Sequence, residues 1–140
     1  MAATLNLTAF KRVPFVESDG ATIVHIGPDW SDAAFKMDIR QAPGDTGTPI
    51  ITLATATAGS QGISATYEAA YLFQVNGTPT TAPATKILIQ IDEATIEALD
   101  LGTPPDEPVE LYYDLHATPS GGIKRVLCEG KFTIKPGATI

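Results

Sequence analysis

The run from Val109 to Lys135 carries the clearest alternation of apolar and polar positions in the chain. Val109, Leu111, Tyr113, Leu115 and Ala117 interleave with Glu110, Tyr112, Asp114, His116 and Thr118. A period of two predicts a strand with one face on a core and the other mostly in water. Pro119-Ser120-Gly121-Gly122 supplies the residue types of a hairpin loop. After a kink at Gly130 the alternation resumes, with Phe132 and Ile134 on one side and Lys131, Thr133 and Lys135 on the other.

Earlier in the chain the same period recurs in short pieces. Leu5 and Leu7 predict a first strand over about 4–9, and Ala21–Ile26 a second after the Ser18-Asp19-Gly20 turn signal. Phe35, Met37 and Ile39 oppose Lys36, Asp38 and Arg40 in a third. Trp30, the only tryptophan, precedes it and is expected to cover one end of the core with its N–H near a polar partner. Pro49–Thr57 reads as a strand, and Gly59-Ser60-Gln61-Gly62 as the turn of a hairpin leading into Ile63–Tyr67. Ala69–Val75 follows, with Tyr71, Phe73 and Val75 assigned to a core face. Asn76–Thr85, rich in threonine and proline, reads as a long exposed loop. Lys86–Ile91 is the next strand. Asp92 then predicts an N-cap for a short helix over 93–100, with Ile91 and Ile96 as a hydrophobic staple and Gly102 as its stop. Residues 103–108, with three prolines, form a stiff connector. Eight to ten short strands with one short helix predict a single domain over 1–140, an all-β antiparallel immunoglobulin-like sandwich.

Composition narrows the function classes. The chain has 140 residues, enough for one self-sufficient core, and its single cysteine, Cys128, allows no internal disulfide. The N-terminal residues lack the basic and apolar regions of a secretory signal, and no apolar stretch reaches bilayer length. Synthesis in the cytoplasm is the expectation. A net charge of −7 opposes binding to nucleic acid or to anionic lipid and suits contacts with proteins or neutral ligands.

Candidate chemistry is sparse. His25 and His116 are the only histidines and stand in no metal-ligand spacing, so each reads as an ordinary strand residue. Cys128, between Leu127 and Glu129, has a carboxylate neighbour that disfavours a thiolate and reads as a small core residue. Glu93 and Glu97 lie one helical turn apart and read as solvated carboxylates, while Asp106 and Glu107 lack the ligand spacing of a calcium loop. Catalytic, cofactor-binding and metal-binding residues are therefore expected to be none. Among the tyrosines, Tyr67, Tyr71, Tyr112 and Tyr113, the second and fourth are assigned to core faces. Tyr112 faces outward and is the residue to watch for stacking on a sugar.

Three segments carry a family resemblance. Trp30-Ser31-Asp32-Ala33-Ala34-Phe35-Lys36-Met37-Asp38-Ile39-Arg40 resembles a tryptophan-then-strand segment of small structural proteins from tailed phages and prophages. Ile87–Leu99 is similar to their strand followed by an acidic-capped short helix. Leu111-Tyr112-Tyr113-Asp114-Leu115, Gly121-Gly122 and Gly130-Lys131-Phe132-Thr133-Ile134 resemble their closing signature. The order and spacing agree over roughly residues 20–139, and together the segments resemble the N-terminal immunoglobulin-like domain of phage baseplate upper proteins. The resemblance implies a non-enzymatic virion component and leaves tail, baseplate or head open, with tail or baseplate expected ahead of head. It implies no cofactor, and as partners other virion proteins and copies of itself. The five residues given after residue 135 show no long helical or receptor-binding segment, so the resemblance implies the sandwich module alone as the expectation. The rival expectations are a carbohydrate-binding or adhesion module, using Tyr112 and the Asn76–Thr85 segment, and a small hydrolase that would need a Cys–His or carboxylate pair brought together by the fold.

Overall fold

A computed structural model describes residues 3–11, 14–15, 22–44, 47–99 and 107–136. The elements, in order, are β1 (Ala3–Thr4), β2 (Leu7–Phe10), β3 (Thr22–Ile26), β4 (Ala34–Arg40), β5 (Ile51–Ala54), β6 (Gly62–Val75), β7 (Thr78–Gln90), α1 (Glu93–Glu97), β8 (Val109–Thr118) and β9 (Arg125–Lys135). A six-stranded sheet runs β9-β8-β4-β5, with β1 and β2 both on the outer edge of β9, and a three-stranded sheet runs β3-β7-β6. Lettered in chain order, with β2 as A′ and β9 as G, the sheets are A′GFCC′ and BED. That is the immunoglobulin-type sandwich. The two-sheet, nearly all-β architecture with one short helix is the one the alternation predicts.

The alternating strands bury the side chains expected of them. Phe35, Met37 and Ile39 of β4, Leu111, Tyr113, Leu115 and Ala117 of β8, and Phe132 and Ile134 of β9 line the inner face of the larger sheet. Ile63, Ile87 and Ile89 meet them from the smaller one. Phe15 exchanges two backbone hydrogen bonds with Ile91 and sets its ring edge-on to Phe132, at 5.2 Å and 66°, so it ties the end of β7 to β9. Trp30 is buried. Its Nε1 donates to His25 Nδ1 at 3.2 Å, and its backbone N–H donates to the buried Thr85 hydroxyl at 3.0 Å. Ile91 and Ile96 are both fully buried, as a staple requires.

Several expectations are corrected. The larger sheet is mixed, because β1 and β2 pair with β9 in parallel: Ala3 faces Cys128 and Leu7 faces Phe132. The first strand is accordingly two pieces interrupted at Leu5-Asn6, where Asn6 Oδ1 takes the Lys131 N–H at 3.1 Å in place of a main-chain carbonyl. Strand β9 continues through Gly130, and the ladder irregularity lies at Leu115/His116, opposite Leu127. Gly130 has another task. A Cβ there would run into the Leu5 carbonyl oxygen, so only glycine admits the neighbouring backbone. The Tyr113 hydroxyl donates to that same oxygen at 2.7 Å.

The Gly59–Gly62 turn makes no hairpin. It carries the chain from β5 in one sheet to β6 in the other, and a parallel bridge of Thr55 to Ile63 marks the crossing. The Ile63–Tyr67 and Ala69–Val75 pieces are one strand of 14 residues. The Asn76–Thr85 loop is a strand as well. Asn76 and Gly77, at φ 51° and 81°, form a two-residue turn that pairs Val75 with Thr78. Pro83 fits because two residues of β6, Ala69 and Ala70, oppose it in a β-bulge between the Glu68–Ala84 and Tyr71–Ala82 pairs. The helix is shorter than expected, Glu93–Glu97, and the Asp92 side chain does not cap it. Gln61 Oε1 accepts instead, from the Asp92 N–H at 2.8 Å and the Thr95 hydroxyl at 2.7 Å. The expected turn at Ser18–Gly20, the stop at Gly102 and most of the 103–108 connector, Asp106 included, lie outside the described residues.

Candidate functional site: the outer face of the larger sheet

Strand register brings together on this face residues that are far apart in sequence. Asp38 of β4 pairs with Asp114 of β8, and Asp114 pairs with Glu129 of β9. Three carboxylates therefore stand in a row across three strands, an arrangement that costs stability unless cations flank it. They do. Lys36, beside His116, stands in the next row on one side, and Arg40 and Lys131, either side of Tyr112, in the next on the other. Arg40 lies 3.4 Å and Lys36 3.9 Å from Asp38 Oδ2, while Lys131 reaches Glu110 at 3.3 Å. His116 Nε2 is 3.1 Å from Asp114 Oδ2 but out of line for a hydrogen bond.

Asp38, Arg40, Tyr112, Asp114, Glu129 and Lys131 floor a groove of about 670 Å³. The loop after β4 forms one wall through Ala42, Pro43 and Gly44, and Thr4 and Asn6 form the other. The Arg40 guanidinium fastens the first wall by donating to the Gly47 carbonyl. Tyr112 lies in the groove with its hydroxyl on Glu110 Oε1 at 3.1 Å. The arrangement offers polar and charged groups and one aromatic ring, which suits surface recognition.

The other sequence candidates are dispersed. His25 is in the smaller sheet, where its Nδ1 serves Trp30. His116 faces outward from β8. Cys128, 2 % exposed, faces inward from β9, so thiol and imidazole stand on opposite sides of one sheet. Burial pushes the Cys128 thiol up, against the smaller opposing effect of the Tyr113 hydroxyl, and burial likewise raises the Tyr113 phenol. Neither is poised to ionise near neutral pH. Glu93 and Glu97 are exposed on α1. Among the described residues no three His, Cys, Asp or Glu side chains are grouped to hold a metal ion, and no helix is long and apolar enough to cross a membrane. Tyr71 is not a core residue. It stacks on Phe73 at 6.2 Å on the outer part of β6, away from the buried cluster. Sequence reading singled out Tyr112 and missed Asp38, Arg40, Asp114, Glu129 and Lys131. Their only signal was an outward position on a strand.

No protein-family model matches the chain, and no curated protein is similar to it.

Proposed function

We propose that the chain is a non-enzymatic structural module of a phage or prophage virion, in tail or baseplate rather than head, made in the cytoplasm and carried in the particle. The assignment to a virion rests on the sequence resemblance. The observation that supports an assembly role is the outer part of the β6–β7 hairpin. Beyond the last β3 pair, Ile26–Ala84, and one further bond from the Gly27 N–H to the Pro83 carbonyl at 2.8 Å, β7 is bonded among the described residues to β6 alone. Leu72 and Val75 there are 65 % and 48 % exposed. An isolated two-stranded ribbon is marginal in water, and it gains stability when another surface covers it. The net charge of −7 keeps unassembled copies soluble and disfavours nucleic acid and anionic membranes as partners. Light scattering across a concentration series tests the reading. A discrete oligomer or growth with concentration is expected, and a strict monomer throughout would count against it.

The groove favours a second reading, a carbohydrate-binding module, since Tyr112 offers a ring face beside Arg40 and Asp114. A glycan array separates the two: this reading requires a signal that Tyr112→Ala removes.

A further inference from the structure

We infer that the outer part of β6 pairs antiparallel with the same strand of a second copy, joining two three-stranded sheets edge to edge about a two-fold axis at Leu72. The inference rests on the assembly reading above and names the partner.

The first reason is the edge itself. β3 and β5, at the edges of their sheets, are short, five and four residues, whereas β6 runs for 14. Short edge strands and prolines discourage pairing. In the hairpin both prolines, Pro79 and Pro83, lie on β7, and β6 contains none. The backbone groups on the outer side of β6 are thus a template with no donor removed. Among the described residues only its start is engaged, where Ile63 meets Thr55 and Ala56.

The second reason is charge. No charged residue occurs between Glu68 and Lys86, which bridge each other at 3.6 Å at the base of the hairpin. A chain of charge −7 repels its own copies over most approaches, and this uncharged stretch lets two copies meet without setting like charges together.

The third reason is self-complementarity. A two-fold axis normal to a sheet pairs residues of the same face. With the axis at Leu72, Tyr71 falls opposite Phe73 of the second copy and Phe73 opposite its Tyr71. The stacked pair in one copy becomes four rings across the junction. On the other face the exposed Leu72 meets its own equivalent.

The test combines mass and register. The wild-type chain is expected at twice its 14.7 kDa mass at high concentration, and Leu72→Glu at the single mass. Leu72 is 65 % exposed, so the variant should keep the wild-type circular dichroism. Leu72→Cys, treated with oxidised glutathione, should cross-link to a covalent dimer, because directly opposed residues lie within disulfide reach. Gln74→Cys, which would oppose Ala70, should not, and Cys128 is buried. An oligomer that survives Leu72→Glu, with no cross-link at position 72, overturns this inference and leaves the assembly reading standing on another surface. A wild-type chain that stays monomeric at every concentration overturns both.

Discussion

Strand β8 and the outer part of β6 have the same alternating pattern and opposite fates. β8 is bonded on both sides, to β4 and β9, and its apolar positions close against the smaller sheet. The outer part of β6 is bonded on one side, and Tyr71, Phe73 and Val75 are left half-buried or exposed. Alternation reports the pleat of a strand. What stands across from the pleat decides whether a face becomes core, and that depends on how far the opposite layer extends.

The comparison breaks most visibly at the centre of the larger sheet. Phe132→Ala removes a fully buried ring packed edge-on to Phe15 and should cost about 3–5 kcal/mol in denaturant unfolding. Next comes the seam where backbone approaches backbone. Gly130→Ala drives a methyl into the Leu5 carbonyl, for a loss of about 1–3 kcal/mol by the overpacking rule. Faster hydrogen exchange of the Leu5 amide, which donates to Glu129 O at 2.8 Å, would locate the damage at the junction of β1 and β2 rather than in β8. Thr85→Val leaves the Trp30 N–H without its buried acceptor, an effect of about 1–3 kcal/mol read by tryptophan fluorescence during unfolding.

Alkaline titration sharpens the contrast more gently. The Cys128 thiol and Tyr113 phenol are both raised on folding, chiefly by burial, so the folded state holds protons that the unfolded state releases. Their contribution is complete below the ordinary thiol range and is lost as pH climbs from about 8.5 upward. Unfolding midpoints should fall over that range in the wild type and fall less in Tyr113→Phe. At the hairpin, Leu72→Glu should move stability by no more than about 0.5 kcal/mol, as expected of a surface site. A larger loss at low protein concentration would mean that this ribbon packs on its own sandwich.

The same contrast explains what was legible from the sequence. β4, β8 and the end of β7 were readable because each has two hydrogen-bonded neighbours and one buried face, so their side chains had to alternate. The hairpin was not. Thr78-Pro79-Thr80-Thr81-Ala82-Pro83 reads as loop because prolines are excluded from central strands, and here Thr78–Ala82 pairs with β6 on one side, while Pro83 sits opposite a bulge and offers only its carbonyl, to Gly27, on the other. The Gly59–Gly62 turn misled for a related reason: glycine-rich turns join strands within a sheet and between sheets alike. On the outer face Tyr112 could be read from β8 alone. The carboxylate row could not, because setting Asp38 beside Asp114 and Asp114 beside Glu129 requires the register of three strands, the first pair separated by 76 positions of sequence.

The parallel seam of β2 on β9 fixes a sequence of events during synthesis. Leu7 is paired with Phe132 and Phe10 with Lys135, so each waits for a partner 125 positions later in the chain. A growing chain on the ribosome can assemble the β6–β7 hairpin soon after both strands emerge, but it cannot close the larger sheet until position 135 has left the exit tunnel. Throughout that interval the inner face of β2, with Leu7 and Ala9, has no strand to lie beside, and the nascent chain is a client for whatever shields exposed apolar surface in the cell.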